Sequence, residues 1–439
     1  MNDKIRRGSL LAAASTYAGG VDIDNYLTIV ALEDGLTAAL SGNTVEYCID
    51  GDGNWKSLAS NTNTESINKG QTLSFRGNLT PASNKGVGRF RISKSSDLTG
   101  NCNSLLFGDD AKTNLSLSGK DYAFYRLFYY CSTIKNVSSN FLPATTLAST
   151  CYSNMFYDCT SLTTAPELPA TTLAQSCYQR MFYECTSLTT SPELPATTLA
   201  SNCYDSMFER CSKLTAAPEL PATTLASSCY YYMFSGTNVL PDCSNINFSS
   251  STVVASGGLI GLFAGTKVTD DDLRSILPIN SNGKYYLPCT TLASGCYDSM
   301  FSDCTSLTTA PALPAKTLAN FCYNYMFKGC TSLTTAPELS ATTLASSCYS
   351  RMFYGCTSLT SAPELPAKTL VSNCYYYMFY KCSKLNYIKA MFTTTPSSSY
   401  TRNWVSEVAS SGTFVKNKNA TWDVTGTNGI PSGWTVQTA

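Results

Sequence analysis

The sequence predicts an α+β repeat protein: a solenoid of about ten coils of about 26 residues each, preceded by a small β-sandwich domain and closed by a C-terminal cap. Three observations predict this fold class. Met-Phe pairs recur every 26 residues in two runs of four, 43% of the residues are hydrophobic, and short alternating segments precede the repeat. Because each unit at such a period buries its apolar edge only against its neighbours, the units are expected to stack. The phenylalanines of the pairs are Phe156, Phe182, Phe208, Phe234, Phe301, Phe327, Phe353 and Phe379, with degenerate copies at Phe128 and Phe263.

Each repeat unit combines constant apolar positions with a short segment that suits a helical turn. In "SSCYSRMFYGC" the apolar residues lie about one turn apart, and Ser346 or Ser347 is available as an N-cap. The following pieces, "SLTSAPEL" and "AKTLV", are typical of short extended segments, with Pro363 at an edge or a bend. The constant positions, which we expect to point into the coil, are Cys348, Tyr349, Met352, Phe353, Cys356, Leu359, Pro363, Leu365 and Leu370.

Most of the chain's 20 cysteines form two series, eight residues apart within each unit. Free cysteine is small, apolar and usually buried, so both series are interpreted as buried thiols inside the coils. Disulfides are less favoured, because Thr237 replaces the second cysteine of a unit that is otherwise normal. Zinc is less favoured still, because the chain has no Cys-x-x-Cys pair and no histidine.

The segments before the repeat predict an N-terminal attachment segment over residues 1–25 and a small β-sandwich over residues 26–110. "YLTIVAL", "TVEYCID", "LSFRGNL" and "GRFRIS" are typical of short strands separated by Gly, Asn and Ser clusters. Between two of them, "DGDGNW" begins like a calcium loop. It has Trp55 where that loop needs glycine and Asn61 where it needs glutamate, so a hairpin turn is the better interpretation.

The solenoid is predicted to span residues 111–385, with irregular units over 238–286, and the cap residues 386–439. In the irregular part, "TDDDLRSIL" predicts a helix with Thr269 as N-cap and Asp272 at the third position. The final segment, with "YTRNWVSEVASSGTFVKN", predicts a short helix and a strand that cover the last open coil.

The composition argues against most enzyme classes and against generic electrostatic binding. Lys+Arg and Asp+Glu are equal at 30 each, so no long-range field would attract nucleic acid or an anionic membrane. No histidine, phosphate loop or paired-carboxylate signature is present, and we expect neither catalysis nor a metal or cofactor. The apolar run Leu10 to Ala14 is too short for a signal-peptide core or a membrane span.

Positions that vary among the units are free of the common packing constraint, and these are the candidates for recognition. They are the two residues after each Cys-Tyr pair and the two after each Met-Phe pair. Aromatic and arginine side chains there suit contact with a protein or a glycan, although an ordinary tolerant surface is the alternative at any single position. The candidate ligand-binding residues are Tyr231, Tyr232, Tyr325, Arg351, Tyr376 and Tyr377.

The units, for example "MFYGCTSLTSAPELPAKTLVSNCYYYMFY", resemble the BspA-like leucine-rich repeats of surface proteins in Bacteroides-type bacteria and of phages that infect them. The resemblance covers roughly residues 120–385, and the flank "LEDGLTAALSGNTVEYCIDGDGNWKSL" and the ending "IPSGWTV" are similar to segments that accompany such repeats. It implies a leucine-rich-repeat solenoid used for binding, with no catalytic centre.

The absence of an export signal favours, within this group, a phage virion protein. We expect a head or tail fibre or decoration protein located in the virion, non-enzymatic and homo-oligomeric, whose N-terminal region contacts other virion proteins. Its solenoid would bind a host-surface glycan or protein, with no nucleic-acid partner and no membrane insertion. A bacterial cell-surface or extracellular BspA-like adhesin is the alternative.

Overall fold

The computed structural model describes residues 21–238 and 257–439. The chain forms two compact units, one that runs to Ala170 and one from Thr171 to Ala439. Most of the predicted N-terminal attachment segment, and residues 239–256 of the irregular units, lie outside the described residues.

The described strands of the first unit are β1 (Leu27–Ala31), β2 (Ala38–Ser41), β3 (Val45–Ile49), β4 (Lys56–Leu58), β5 (Thr72–Arg76), β6 (Arg89–Ile92), β7 (Ser96–Gly100) and β8 (Ile134–Val137). They form a six-stranded sheet in the order β4-β3-β5-β1-β7-β8 and a separate two-stranded sheet, β2-β6. All pairs are antiparallel except β7 with β8. A short helix, α1 (Ser104–Phe107), and three 3-10 turns at Ile23–Asn25, Gly108–Asp110 and Ser139–Phe141 accompany the sheets.

The four strands predicted by the sequence correspond to β1, β3, β5 and β6. The predicted hairpin is confirmed as well, because β3 and β4 pair antiparallel on either side of "DGDGNW". Phe75 on the larger sheet packs edge-on against Phe90 on the smaller one, with ring centroids 5.0 Å apart. The sandwich over residues 26–110 stays a prediction, since β8 joins the larger sheet from beyond residue 110.

The predicted helical turn of the repeat is wrong. In "SSCYSRMFYGC" the backbone makes consecutive β-turns, and every fourth residue, Ser347, Arg351 and Gly355, has a positive φ of 54° to 74°. That conformation ends any α-helix, and it is the one that the third residue of a type II turn requires. We call this segment the ribbon; it recurs in the other coils with the same spacing of positive φ.

Backbone hydrogen bonds of the ribbon alternate between its own turns and the next coil. The N–H of Met352 donates to the carbonyl of Tyr349 three residues back, at 3.2 Å. The adjacent N–H of Phe353 donates instead to the carbonyl of Met378 in the next coil, at 2.9 Å. From Ser347 to Cys356 each backbone N–H of this ribbon has a partner, and hydrogen bonds of the kind found between strands join it to the next coil. The predicted extended segments pair between coils through isolated parallel bridges, such as Thr309 with Thr335 and Leu313 with Leu339.

Two ladders of stacked aromatic rings fill the coils of the second unit. Phe327 and Phe353 stack at 5.8 Å with planes 11° apart, and Tyr323 and Tyr349 stack at 5.9 Å with planes 6° apart. The Met-Phe and Cys-Tyr pairs are almost completely buried, as predicted. The Phe ladder runs through Phe182, Phe208 and Phe234 and again through Phe263, Phe301, Phe327, Phe353 and Phe379.

All nineteen described cysteines are buried free thiols, which confirms their predicted placement. The second cysteine of a unit also has a definite partner: the thiol of Cys356 donates to the carbonyl of Phe327 in the preceding coil, at 3.0 Å. Where threonine replaces this cysteine, its hydroxyl takes a similar role within its own coil, since Thr237 donates to the carbonyl of Phe234 at 2.7 Å.

The second unit also holds the predicted capped helix and a small parallel sheet. In α2 (Asp270–Ile276), Thr269 and Asp272 form the predicted capping box in both directions. After the last regular coil come β9 (Tyr387–Ala390), α3 (Ser398–Thr401), β10 (Thr413–Lys416) and β11 (Thr435–Thr438), and the three strands pair in the order β11-β10-β9. The strand expected in "YTRNWVSEVASSGTFVKN" is thus present as β10. The helix expected there is not, because α3 includes only Tyr400 and Thr401 of that segment and the next residues form turns, with positive φ at Asn403 and Glu407.

Trp404 lies where both aromatic ladders of the second unit reach the last regular coil. Its buried ring is 6.2 Å from that of Tyr375 and 6.1 Å from that of Phe379, and its indole N–H donates to the carbonyl of Gly429 at 2.9 Å. The N–H of Phe379 donates to the Trp404 carbonyl, so the ribbon pairing continues into this segment. The cap over residues 386–439 and the count of about ten coils stay predictions.

Candidate functional site

The predicted recognition residues lie on the ribbon, and half of the ribbon's variable positions carry a backbone constraint. The second residue after each Cys-Tyr pair has a positive φ, which costs a non-glycine residue about 1 kcal/mol or more. The backbone conformation therefore limits which residue types this position tolerates, although packing inside the coil does not. The residues concerned are Asn154, Arg180, Ser206, Tyr232, Ser299, Tyr325, Arg351 and Tyr377, with φ between 47° and 57°.

Four of the six predicted residues form one contact group, which we call the tyrosine–arginine cluster: Tyr325, Arg351, Tyr376 and Tyr377. The guanidinium carbon of Arg351 lies 4.9 Å from the ring centroid of Tyr325 in the preceding coil. It lies 4.5 Å and 5.5 Å from the rings of Tyr376 and Tyr377 in the following coil. All four side chains are partly exposed. Cation–π contacts with three rings hold the cluster in a single arrangement.

Three further residues, Tyr354, Tyr380 and Asn403, extend this cluster, and none of them is among the six predicted ligand-binding residues. The ring of Tyr380 is 5.3 Å from that of Tyr377 and 4.9 Å from that of Tyr354. The amide of Asn403 donates to the hydroxyl of Tyr377 at 2.9 Å. A signal was available for the two tyrosines, because both occupy the variable position directly after a Met-Phe pair.

Glu407 changes the pKa of Tyr380 at one edge of the cluster. Tyr380 hydrogen-bonds to Glu407, and this bond, with partial burial and the negative charge of Glu407, raises the pKa of the Tyr380 phenol to about 12. The single phenol proton is thus directed towards Glu407.

The other two predicted residues, Tyr231 and Tyr232, form a separate pair. Their rings meet edge-on with centroids 4.8 Å apart. The Tyr232 ring lies over Gly261 in the following coil, where an added Cβ would come within 2.5 Å of it, and its hydroxyl bonds to Ser299 one coil further. The coils of Gly261 and Ser299 thus separate this pair from the tyrosine–arginine cluster.

The described residues offer no evident metal site. Among them, no group of three or more Cys, Asp or Glu side chains converges closely enough to hold an ion. Burial raises the pKa of the cysteine thiols, to about 11 for Cys374 and about 12 for Cys382, which makes them poor thiolate ligands and poor nucleophiles. Within the described chain, no helix is both long enough and apolar enough to span a bilayer.

Comparison with known protein families assigns the repeats. The model of the BspA type leucine rich repeat region matches residues 123–254 and 294–408 in six copies, which is more than half of the chain. The chain belongs to the BspA-type leucine-rich repeat family. Neither a curated protein nor a solved structure matches it.

The BspA-type repeats account for the position of the candidate site. The second matched range includes the whole tyrosine–arginine cluster and continues to Trp404, in the segment that the sequence assigned to the cap. Repeats of this type indicate a surface or adhesion-type repeat protein. The exposed ribbon side chains are then the part of the BspA-type array that differs from coil to coil.

Proposed function

We propose that the protein is a non-enzymatic binding protein that attaches to a glycan or protein on a cell surface through the ribbons of its solenoid. The tyrosine–arginine cluster carries this proposal, because Arg351 stacks on three tyrosines from two neighbouring coils. Tyrosine and arginine are the residue types that dominate binding surfaces, since each combines a large apolar face with polar groups. Held against each other, they lose little side-chain freedom when a partner binds.

The cluster is not needed to complete the core. The coils are already filled by Tyr349, Phe353, Tyr375 and Phe379, all of which are at most 2% exposed. By contrast, Tyr325, Arg351 and Tyr377 are partly exposed. Their positive φ is shared by the equivalent residues of other coils, such as Ser206 and Ser299, so the backbone requires neither tyrosine nor arginine at these positions.

The finer proposal is a phage virion protein, a head or tail fibre or decoration. In this setting the N-terminal region would contact other virion proteins, the protein would be a homo-oligomer, and the solenoid would face the host. The alternative setting is the bacterial cell surface. The resemblance of the repeats supports both settings. Mass spectrometry of purified phage particles separates them: finding the protein there supports the virion proposal, and finding it only in bacterial envelope fractions contradicts it.

Binding is tested by measuring adsorption of the labelled full-length protein to intact Bacteroides-type cells. The double variant Tyr376→Ala, Tyr377→Ala removes two of the three rings that hold Arg351. We expect adsorption to fall about tenfold or more, as for the loss of central aromatic contacts. Lys368→Ala is the matched control, because Lys368 is exposed outside the ribbon and should not affect adsorption.

Unchanged adsorption of the double variant, at an unchanged unfolding temperature, would rule out the tyrosine–arginine cluster as the binding site. If neither the wild type nor any variant adsorbs to the Bacteroides-type cells tested, the proposed adhesion-type function itself is contradicted.

A further inference from the structure

A nearly buried carboxylate lies beside the Tyr231–Tyr232 pair without full compensation. Asp205 is only 6% exposed, and one of its oxygens accepts a hydrogen bond from the amide of Gln179 at 2.7 Å. The other oxygen, Oδ1, is buried and accepts no hydrogen bond from any residue that the structure describes. A buried charge in this state is unfavourable unless a cation balances it.

Two more carboxylates, Asp298 and Glu209, lie in the same surroundings, and the hydrogen bonds that they accept also come from neutral side chains. Asp298 accepts hydrogen bonds from Asn324 at 2.9 Å and from Ser299 at 2.7 Å. Glu209 hydrogen-bonds to Ser206. Within residues 21–238 and 257–439, neither these two nor Asp205 takes part in an ion pair.

The local electrostatics also indicate negative charge in excess. Burial raises the pKa of Asp298 and of Glu209. Burial also raises the pKa of the Tyr231 phenol, and the negative charges of all three carboxylates raise it further. Of the nearby guanidinium groups, Arg210 is already paired with Glu184 and Arg180 is exposed. Their charges lower the pKa of Glu209, and the charge of Arg180 lowers that of Tyr231, but both pKa values stay raised.

The tyrosine–arginine cluster shows how the same fold satisfies an equivalent pair of tyrosines. Tyr376 and Tyr377 occupy the same repeat positions as Tyr231 and Tyr232, and they meet edge-on with nearly the same geometry, 4.6 Å and 61° against 4.8 Å and 65°. There the preceding coil provides Arg351, whose guanidinium covers both rings.

At the first pair the preceding coil has no such arginine. In the coil before Tyr231, the position of Arg351 is occupied by Ser206 and the position of Ser350 by Asp205. The aromatic pair is thus retained, while the preceding coil has a carboxylate and lacks the arginine.

We propose that Tyr231 and Tyr232, with Asp205, Glu209 and Asp298, bind the guanidinium group of an arginine side chain presented by a partner protein. The guanidinium lies over the two rings as Arg351 lies over Tyr376 and Tyr377, and it balances the incompletely compensated carboxylates. Guanidinium suits the site better than a metal ion, because the three carboxylates, two from one coil and one from another, converge on no common ligand point. Its planar face stacks on tyrosine, and its delocalised charge balances carboxylates that it does not need to touch.

This inference deepens the proposed function, since it names a ligand group for a second place on the ribbon surface. The probes are three short peptides, acetyl-Gly-Arg-Gly-amide and its Lys and Gln counterparts, titrated into the full-length protein by calorimetry. We expect the Arg peptide to bind more tightly than the Lys peptide, by about 1 kcal/mol or fivefold, and the Gln peptide not to bind. Equal binding of the Gln peptide would overturn the proposal.

Two substitutions separate this site from the rest of the surface. Asp205→Asn keeps the shape but removes the charge, and should weaken Arg-peptide binding about tenfold. Ser206→Arg introduces an arginine at the position of Arg351 in the other cluster and should abolish binding of the Arg peptide. If that variant fails to fold, Glu209→Gln is used instead and should weaken binding of the Arg peptide. Full binding by Asp205→Asn would refute the site.

Two controls complete the experiment. Arg180→Gln removes a nearby competing cation, so it should leave Arg-peptide binding equal or stronger, and a loss would argue against a cation site. The variant Tyr376→Ala, Tyr377→Ala should bind the peptide normally even where cell adsorption is lost. Failure of this inference and failure of the proposed function are therefore distinguishable.

Discussion

The ring of Phe90, on a strand that precedes the repeats, stacks on the ring of Phe128 at 5.6 Å with planes 13° apart. Its carbonyl accepts the thiol of Cys131 at 3.2 Å, just as the carbonyl of Phe128 accepts the thiol of Cys159 at 3.2 Å. Phe90 thus occupies the position of a repeat phenylalanine in the first unit. An open end of the ladder is covered by a residue from outside the solenoid, which is what a stacked-repeat protein needs for stability.

Replacing this phenylalanine should therefore destabilise the first unit strongly. Phe90→Ala is expected to lower the free energy of unfolding by about 3–5 kcal/mol, because a fully buried ring is lost and a cavity remains. Urea unfolding monitored by hydrogen exchange in the first unit measures the effect. Tyr130→Ala, at a side chain that is 49% exposed, is the control and should change little. A similar loss in both variants would show that the Phe90 ring has no special role.

A second prediction concerns the hydrogen bond made by the second cysteine of each unit. Cys356→Thr and Cys356→Val introduce nearly the same volume, but only threonine can donate to a phenylalanine carbonyl, as Thr237 and Thr266 do at 2.7 Å. We expect the Thr variant to be the more stable by about 1 kcal/mol in urea unfolding, the reverse of the usual order at a buried apolar site. Equal stability, or a more stable Val variant, would show that a side-chain hydrogen bond at this position contributes nothing to stability.

A third prediction follows from the raised thiol pKa values. In the unfolded chain cysteine titrates near pH 8.5, whereas burial raises the pKa to about 11 for Cys131 and about 12 for Cys203. The unfolded state therefore releases these protons first. The stability that comes from burying neutral thiols is complete below about pH 8.5 and is lost as the pH rises through about 11 to 12.

Urea midpoints measured under reducing conditions at pH 7, 9 and 10.5 test this dependence, and we expect a steep fall above pH 9. Cys203→Ala should show a shallower fall, because one titrating group has been removed. Midpoints that stay constant to pH 10.5 would contradict the burial of the thiols.

The sequence predicted the inward positions of the coil but not the conformation of the backbone that presents them. A period of 26 identifies Met352 and Phe353 as packing residues whatever the local structure, and both are fully buried. The apolar spacing within one unit is compatible with a helix as well as with turns. The positive φ of Ser347 and Arg351 could not be predicted from the residue types, because neither serine nor arginine favours that conformation. The clearest signal lay in the irregular unit, where Gly257, Gly261 and Gly265 follow each other at intervals of four, whereas a regular unit has at most a single glycine such as Gly329 or Gly355.

The candidate site was predictable in part for the same reason. Because equivalent residues lie one coil apart, Arg351 could be expected near Tyr325 and Tyr377, and the structure places them in contact. The carboxylates around Tyr231 were not predictable, since Asp205 differs from other variable residues only in its burial and its missing partner. The contribution of Phe90 was likewise hidden, because a single aromatic residue on a strand has no repeat to align with.

The repeated stacking distance has an evolutionary consequence. Along the Phe ladder of the second unit, consecutive rings lie 5.6 to 5.8 Å apart, so each coil meets its two neighbours through nearly the same interface. Duplicating, deleting or exchanging a whole coil by recombination therefore creates no new packing problem. Each such event moves one set of exposed ribbon side chains as a cassette. The array can gain, lose or reorder its exposed side chains within the gene while its interior stays the same.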